Sequence, residues 1–282
     1  MVSWLKYNRL EFRRTKGFCT PMGPNFKRAS YYRCQLAGND FVIGLPQNNP
    51  QYKGSSINYR RIKYNHNYLP DQLFREYENP DQNWRYQLIM NRSWAFMGPW
   101  FSGVKAEVNM GLCVLEPVGI NENASFFHPR AFEAGVANFL NSSAHAYDKI
   151  PLSSKPRWTA PVNWQVLGHL TVPMVKFDEL PPSYEKTAPE RCFVFPLGDH
   201  CLGLVSFDID KYYNGSAEKE AHLIDDKPMD ELIDNIINSI QLTLSPEAQA
   251  QYDRVMAECP DMRVTEDFPP LDWSDKPEYM GD

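Results

Sequence analysis

The stretch Gly103-Val-Lys-Ala-Glu-Val-Asn-Met-Gly-Leu-Cys-Val-Leu115 carries the clearest strand pattern in the chain. From Val104 to Val114 every even-numbered residue is apolar, whereas the odd-numbered positions begin with Lys105, Glu107 and Asn109. A period of two places alternate side chains on opposite faces of a sheet. The sequence therefore predicts a strand that buries its even-numbered residues and turns the other set toward water.

A helix is predicted after this strand. Pro129 suits a first helical position, and residues 130–147 contain no further proline. Apolar residues recur there at steps of three and four, which gives one stripe for burial. The stripe consists of Phe132, Val136, Phe139 and Leu140.

A similar order recurs after residue 190. Two apolar runs, Arg191–Pro196 and Cys201–Phe207, predict a hairpin with its turn at Leu197–His200. A helix is predicted over Asp230–Leu244, and Ser245-Pro246 has the N-cap and N1 residues that open another helix.

These patterns predict an α+β fold with antiparallel sheets and helices packed on one face. Strands followed by a helix occur at 84–147 and 191–244, which suggests two similar strand-strand-helix units. We expect a strand-rich basic domain at 1–150 that ends in a helix, and a Pro-rich connector at 151–190 with one strand at 164–172. A hairpin with two helices follows at 191–258, and an acidic extended tail at 259–282.

The net charge of −6 is unevenly distributed along the 282 residues. Residues 1–100 hold 15 Lys and Arg against 6 Asp and Glu, whereas the remainder holds 14 against 29. The two halves either pack on each other or present separate fields to a partner. Basic residues near tyrosines in the first third could bind single-stranded nucleic acid, but the acidic remainder argues against this. No nucleic-acid partner is predicted.

The amino terminus has no apolar signal region, and no run of residues is apolar enough to span a membrane. We therefore expect a cytoplasmic protein that does not enter membranes. The six cysteines form no C-x-x-C pair, so we expect free thiols without a metal.

Candidate catalytic groups are sparse. Asp208 and Asp210 share one strand face and could hold a cation, but Tyr213 and Lys219 stand where a calcium loop needs Gly and Glu. His200 lies in the predicted turn. Because no catalytic or nucleotide-binding motif occurs, we predict no cofactor and no enzymatic activity. The alternative is a hydrolase with a dispersed site built from Asp208, Asp210 and His200.

Aromatic residues make up 13% of the chain and supply the candidate partner-binding site. The run from residue 94 to 101 surrounds a Gly-Pro step, which predicts a loop that exposes its rings. The alternative is that this loop closes over the core. Nearby acids could form a charged rim for a basic partner. The predicted partner-binding residues are Trp94, Trp100, Phe101, Tyr212, Tyr213, Asp225, Asp226 and Asp230.

Residues 193–244 resemble PsbP/DcrB-like domains through Phe193-Val-Phe195, Leu202–Phe207 and Ile236–Ile240. As a whole, the acidic, Trp-rich and motif-poor chain resembles cytoplasmic immunity and adaptor proteins of bacterial toxin systems, including type VI secretion-like ones. This resemblance implies a non-catalytic protein that occludes a cognate toxin. A structural component of a secretion or phage-like assembly is a further alternative, and homo-oligomer formation stays open.

Overall fold

The computed structural model describes residues 17–49, 67–68, 84–99, 102–118, 124–147, 159–180, 189–213 and 221–271. Within these ranges the chain forms two sheets and three α-helices, which confirms the predicted α+β class. The helices are α1 (Pro129–Tyr147), α2 (Lys227–Asn238) and α3 (Pro246–Glu258). The strands are β1 (Ser30–Leu36), β2 (Asn39–Leu45), β3 (Asn67–Tyr68), β4 (Trp84–Met97), β5 (Val104–Pro117), β6 (Thr159–Leu167), β7 (Met174–Leu180), β8 (Glu190–Gly198), β9 (Cys201–Lys211) and β10 (Gln241–Thr243).

The larger sheet has six antiparallel strands in the order β4-β5-β9-β8-β7-β6. It takes strands from all three segments that the sequence predicted as separate, including the connector. That connector holds two strands, β6 and β7, where one was predicted. Pro161 is tolerated in β6 because this strand lies at the sheet edge, where fewer ladder donors are needed.

The smaller sheet has the order β10-β2-β1-β3. The prediction of a helix up to residue 244 is wrong, because α2 ends at Asn238 and residues 241–243 pair with β2. Ser239 explains the end of the helix. Its hydroxyl donates to the carbonyl of Ile236 at 2.6 Å and accepts from the backbone N–H of Gly44 at 2.8 Å, which ties the helix end to β2.

Other elements pack against both faces of the six-stranded sheet. One face, here the sheet-packed face, contacts the smaller sheet and the apolar side of α2. Phe195 of β8 stacks there on Phe41 of β2, with ring centroids 6.0 Å apart. The other face, here the helix-packed face, contacts α1 through Phe132, Val136 and Leu140. The predicted apolar stripe of this helix is therefore confirmed.

Strand β5 crosses the centre of the sheet. Its even-numbered residues from Ala106 to Val114 are buried, as predicted. The prediction that Lys105 and Glu107 face water is wrong, since they are only 1% and 8% exposed. The hydroxyl of Tyr212 donates to Glu107 at 3.0 Å, so the chain after β9 covers this end of the helix-packed face.

Two further local predictions are confirmed. Strands β8 and β9 form a hairpin whose turn is Asp199-His200. The side chain of Ser245 accepts from the backbone N–H of Ala248 at 3.1 Å and caps α3. After α3 the chain is extended to residue 271, and the N–H of Leu271 donates to the carbonyl of Ala160 in β6.

Candidate functional site

Trp94 does not lie on the surface. It is fully buried in β4 on the sheet-packed face, and its Nε1 donates to the carbonyl of Pro46 at 3.3 Å. The prediction of an exposed loop at Trp94 is wrong because β4 continues to Met97, and the break comes only at Gly98. The other two predicted partner-binding residues of this run, Trp100 and Phe101, lie outside the described residues.

Tyr212 and Tyr213 follow β9 directly and are both half-buried. The three acids predicted as a rim make contacts within the chain. Asp225 accepts from the hydroxyl of Thr20 at 2.8 Å. The other two form ion pairs, one of 2.5 Å between Asp226 and Lys211 and one of 2.7 Å between Asp230 and Arg191. Much of the predicted rim charge is therefore compensated inside the molecule.

The alternative hydrolase site is not assembled. His200 lies in the turn before β9, and Asp208 lies eight residues further along the same strand. At about 3.3 Å per residue the two are separated by roughly 26 Å. Asp210 lies beyond Asp208 in the same direction, so His200 cannot exchange a proton with either carboxyl group.

The sheet instead aligns polar residues from five strands. Five of them are successive cross-strand neighbours on the helix-packed face. They are Ser93 of β4, Asn109 of β5, Asp208 of β9, Glu190 of β8 and Glu179 of β7. The Ser93 hydroxyl donates to Asn109 Oδ1 at 2.6 Å. We name the three carboxylic residues at the end of this line, Glu179, Glu190 and Asp208, the acid row.

Burial and mutual repulsion perturb the acid row. Burial, and then the charge of Glu190, raises the pKa of Glu179 to about 8. Partial burial, and then the charges of Glu190 and Asp210, raises the pKa of Asp208 to about 7. Burial also raises the pKa of Asp210. The row therefore carries less than its full negative charge near neutral pH.

Two large apolar side chains lie on the same face of the sheet without full cover. Tyr86 and Leu88 of β4 are 42% and 44% exposed. Beside them Gly111 of β5 pairs with Asn91 and Ser206, and a Cβ built on Gly111 would be 3.7 Å from Leu88 Cδ1. Gly111 therefore places no side chain between Leu88 and Ser206.

These groups form one surface on strands β4, β5 and β9. We name it the open sheet face. Helix α1 covers the adjacent part of the helix-packed face, over Leu115, Leu202 and Leu204, and leaves this part accessible. The open sheet face consists of Tyr86, Leu88, Asn91, Gly111, Ser206 and Asp208, and the rest of the acid row continues it onto β8 and β7.

Sequence reasoning missed this surface for a definite reason. The alternation of Tyr86 and Leu88 with Arg85 and Gln87 indicates a two-sided strand, but not which face α1 leaves uncovered. Asp208 was identified as a strand-end acid. Its neighbours Glu190 and Glu179 are 18 and 29 residues away along the chain, and only the register between strands brings them together.

The chemistry of this surface suits recognition. An exposed aromatic ring and a leucine offer apolar contact, and the adjacent carboxyl groups accept hydrogen bonds and attract cations. In the described part of the chain, no three His, Cys, Asp or Glu side chains are grouped so that they could hold a metal ion. None of the helices in that part is long and apolar enough to cross a membrane.

Comparisons with known proteins give one distant likeness. No protein-family model matches the chain, and neither does any curated protein, so the PsbP/DcrB-like resemblance has no support. Among solved structures, the chain is similar to the apo structure of immunity protein TplEi of T6SS from Pseudomonas aeruginosa. The two are 12% identical, with 86% of this chain and 83% of that chain covered, at a TM-score of 0.23. A likeness of this size establishes no shared fold.

Proposed function

We propose that this chain is a non-catalytic protein that binds a basic protein partner through the open sheet face. The observation that carries the proposal is the exposure of Tyr86 and Leu88 on the sheet face that also holds the acid row, a face that α1 otherwise covers. Exposed apolar groups with a polar border are typical of sites that contact other proteins.

Tyr86 is the natural anchor of such a contact. Interface energy concentrates in a few residues, most often Trp, Tyr and Arg. Leu88 lies two residues along the same strand and on the same side, and Gly111 places no side chain between it and Ser206. These features replace the predicted anchors Trp94, which is buried, and Tyr212, whose hydroxyl is bonded to Glu107.

The charge of the surface favours a basic partner. Asp208 lies on the same face of the sheet, two strands away from the apolar pair, and Asp210 and Glu190 lie next to it on β9 and β8. The chain after residue 100 holds 29 acidic against 14 basic residues, so its field attracts positively charged proteins and repels phosphate backbones. This supports a protein partner over a nucleic acid.

The specific form of the proposal is an immunity protein that occludes a cognate bacterial toxin in the cytoplasm. Occlusion needs a stable surface and no catalytic machinery, which a rigid sheet face provides. An adaptor or assembly component would use the same surface with a different partner. A cognate toxin is expected to be encoded beside its immunity protein, and this separates the two roles experimentally.

The test measures binding to the product of the adjacent gene by isothermal titration. The double variant Tyr86→Ala/Leu88→Ala removes the apolar pair. The matched control, Tyr31→Ala/Met256→Ala, removes two residues that are 64% and 49% exposed elsewhere on the molecule.

We expect the Kd of the open-face variant to rise at least about 30-fold, since truncation of an interface anchor costs about 2 kcal/mol or more. The control should bind like the wild type, and the melting temperatures should agree. Full affinity in the open-face variant would refute the site. If the adjacent gene product does not bind at all, the immunity role is refuted.

A further inference from the structure

The acid row places three carboxylic residues at directly paired positions on three neighbouring strands. Glu190 is the direct cross-strand neighbour of both Glu179 and Asp208. Directly opposed residues in antiparallel strands have Cβ atoms about 4.5–5.5 Å apart, and like charges at such positions repel. Three ionised carboxylates in this arrangement would destabilise the sheet.

The surroundings add negative charge or no charge to the row. On its own face the described neighbours are Asp210 of β9, the Cys192 thiol of β8 and Asn109 of β5. The Cys192 thiol donates to Glu179 Oε1 at 3.8 Å, and burial raises the pKa of Cys192 well above its usual range. The Asn109 side chain donates to Asp210 Oδ2 at 3.3 Å.

The nearby cations have other partners. Arg191 is adjacent to Glu190 in sequence, but it points to the opposite face and pairs with Asp178 at 3.0 Å and Asp230 at 2.7 Å. Strand β6 contains no charged residue, and in the described part of α1 the Arg130 and Glu133 side chains pair with each other. Lys105 lies four residues from Asn109 along β5, at the far end of the face.

We propose that the acid row is a proton-linked control of the binding face: it holds at least one proton at neutral pH and releases it to solvent when a Lys or Arg side chain of the partner docks. The link to partner docking rests on the proposed function. The partner's cation supplies the positive charge that the acid row lacks in the free protein, so ionisation of the carboxyl groups becomes favourable only in the complex. Association should therefore strengthen as the pH rises toward 8.

The free protein should show the reverse trend in its stability. The pKa values of Glu179 and Asp208 are about 8 and about 7 in the folded chain, against ordinary values of 4.5 and 3.8. Between about pH 4 and pH 8 the folded state holds more protons than the unfolded state. The stabilisation that comes from these two raised pKa values is fully present below about pH 4 and is lost as the pH rises through 7 and 8. For each proton retained, the folding equilibrium constant falls about tenfold per pH unit.

The experiment compares urea unfolding of the wild type and Glu190→Gln at unit steps from pH 5 to pH 9. Glu190→Gln removes the central carboxyl group, so the two outer carboxyl groups ionise at lower pH and the decline in the folding constant should be smaller, although burial, the larger cause of both raised pKa values, remains. The matched control is Glu258→Gln at the exposed end of α3, which should follow the wild type. His169, whose pKa is lowered by partial desolvation, contributes equally to all three proteins.

If the folding constant declines equally with pH in the wild type and in Glu190→Gln, the inference is overturned. If Glu190→Gln does not fold, Asp208→Asn takes its place, and a slope equal to that of the wild type again overturns it. Binding to the adjacent gene product is then titrated at pH 7 in phosphate and in Tris, and a buffer-dependent heat is expected from the released proton. Because the unfolding experiment uses no partner, it can fail while the proposed function stands, and it can succeed if no partner binds.

Discussion

Gly203 of β9 leaves no room for a side chain, because a Cβ at this position would lie 2.5 Å from Cε2 and Cζ of Phe195. Phe195 cannot easily move away. It is fully buried, and its ring stacks on Phe41 of the smaller sheet. We therefore expect Gly203→Ala to lower the free energy of unfolding by about 1–3 kcal/mol, the usual cost of overpacking a closed core.

The assay is urea unfolding, with Gly111→Ala as the matched control on the neighbouring strand. A Cβ at Gly111 would meet its nearest atoms at 3.3 and 3.7 Å, so that change should stay within about 0.5 kcal/mol. Adding Phe195→Leu to Gly203→Ala should recover part of the loss relative to the sum of the single effects. Equal stability of Gly203→Ala and Gly111→Ala would refute the packing between the two sheets described above.

Two further predictions concern buried polar groups. Glu107→Lys should destabilise the fold by about 1–3 kcal/mol, because Glu107 is 8% exposed and accepts from the Tyr212 hydroxyl; a urea midpoint equal to that of the wild type would show that Glu107 is solvated. Asn39→Ala should cost about 2–4 kcal/mol, because this fully buried side chain donates to the end of β8 at 2.6 Å and accepts from the N–H before α3 at 2.9 Å. A loss below about 0.5 kcal/mol in the same assay would contradict that role.

The sequence predicted well those elements whose signals are local. The alternation in β5, the apolar stripe of α1 and the Ser245-Pro246 start of α3 all lie within a few residues. The predicted helix extended too far past the end of α2, because Ile240 and Leu242 continue an apolar pattern that fits a helix and a strand equally well. Pairing of β10 with β2, which decides between them, depends on residues about 200 positions apart.

The candidate site differs from the predicted one in its residues. An aromatic group bordered by acids was expected around residues 94–101 and 212–230, whereas the proposed surface uses Tyr86, Leu88 and the acid row of the same sheet face. Tryptophan is a residue type that is common in interfaces, and the sequence does not reveal that a second sheet covers the face of β4 that holds Trp94. Burial on both faces of a sheet and the register between distant strands are tertiary properties, and they decide which of many similar residues reach the surface.

The open sheet face is tested most directly by the ratio of two dissociation constants for the product of the adjacent gene. One belongs to Tyr86→Ala/Leu88→Ala and the other to Tyr31→Ala/Met256→Ala, both measured at the same pH and salt concentration. A ratio of about 30 or more, with equal melting temperatures, is the predicted result. A ratio near one would contradict the assignment of this face as the binding surface.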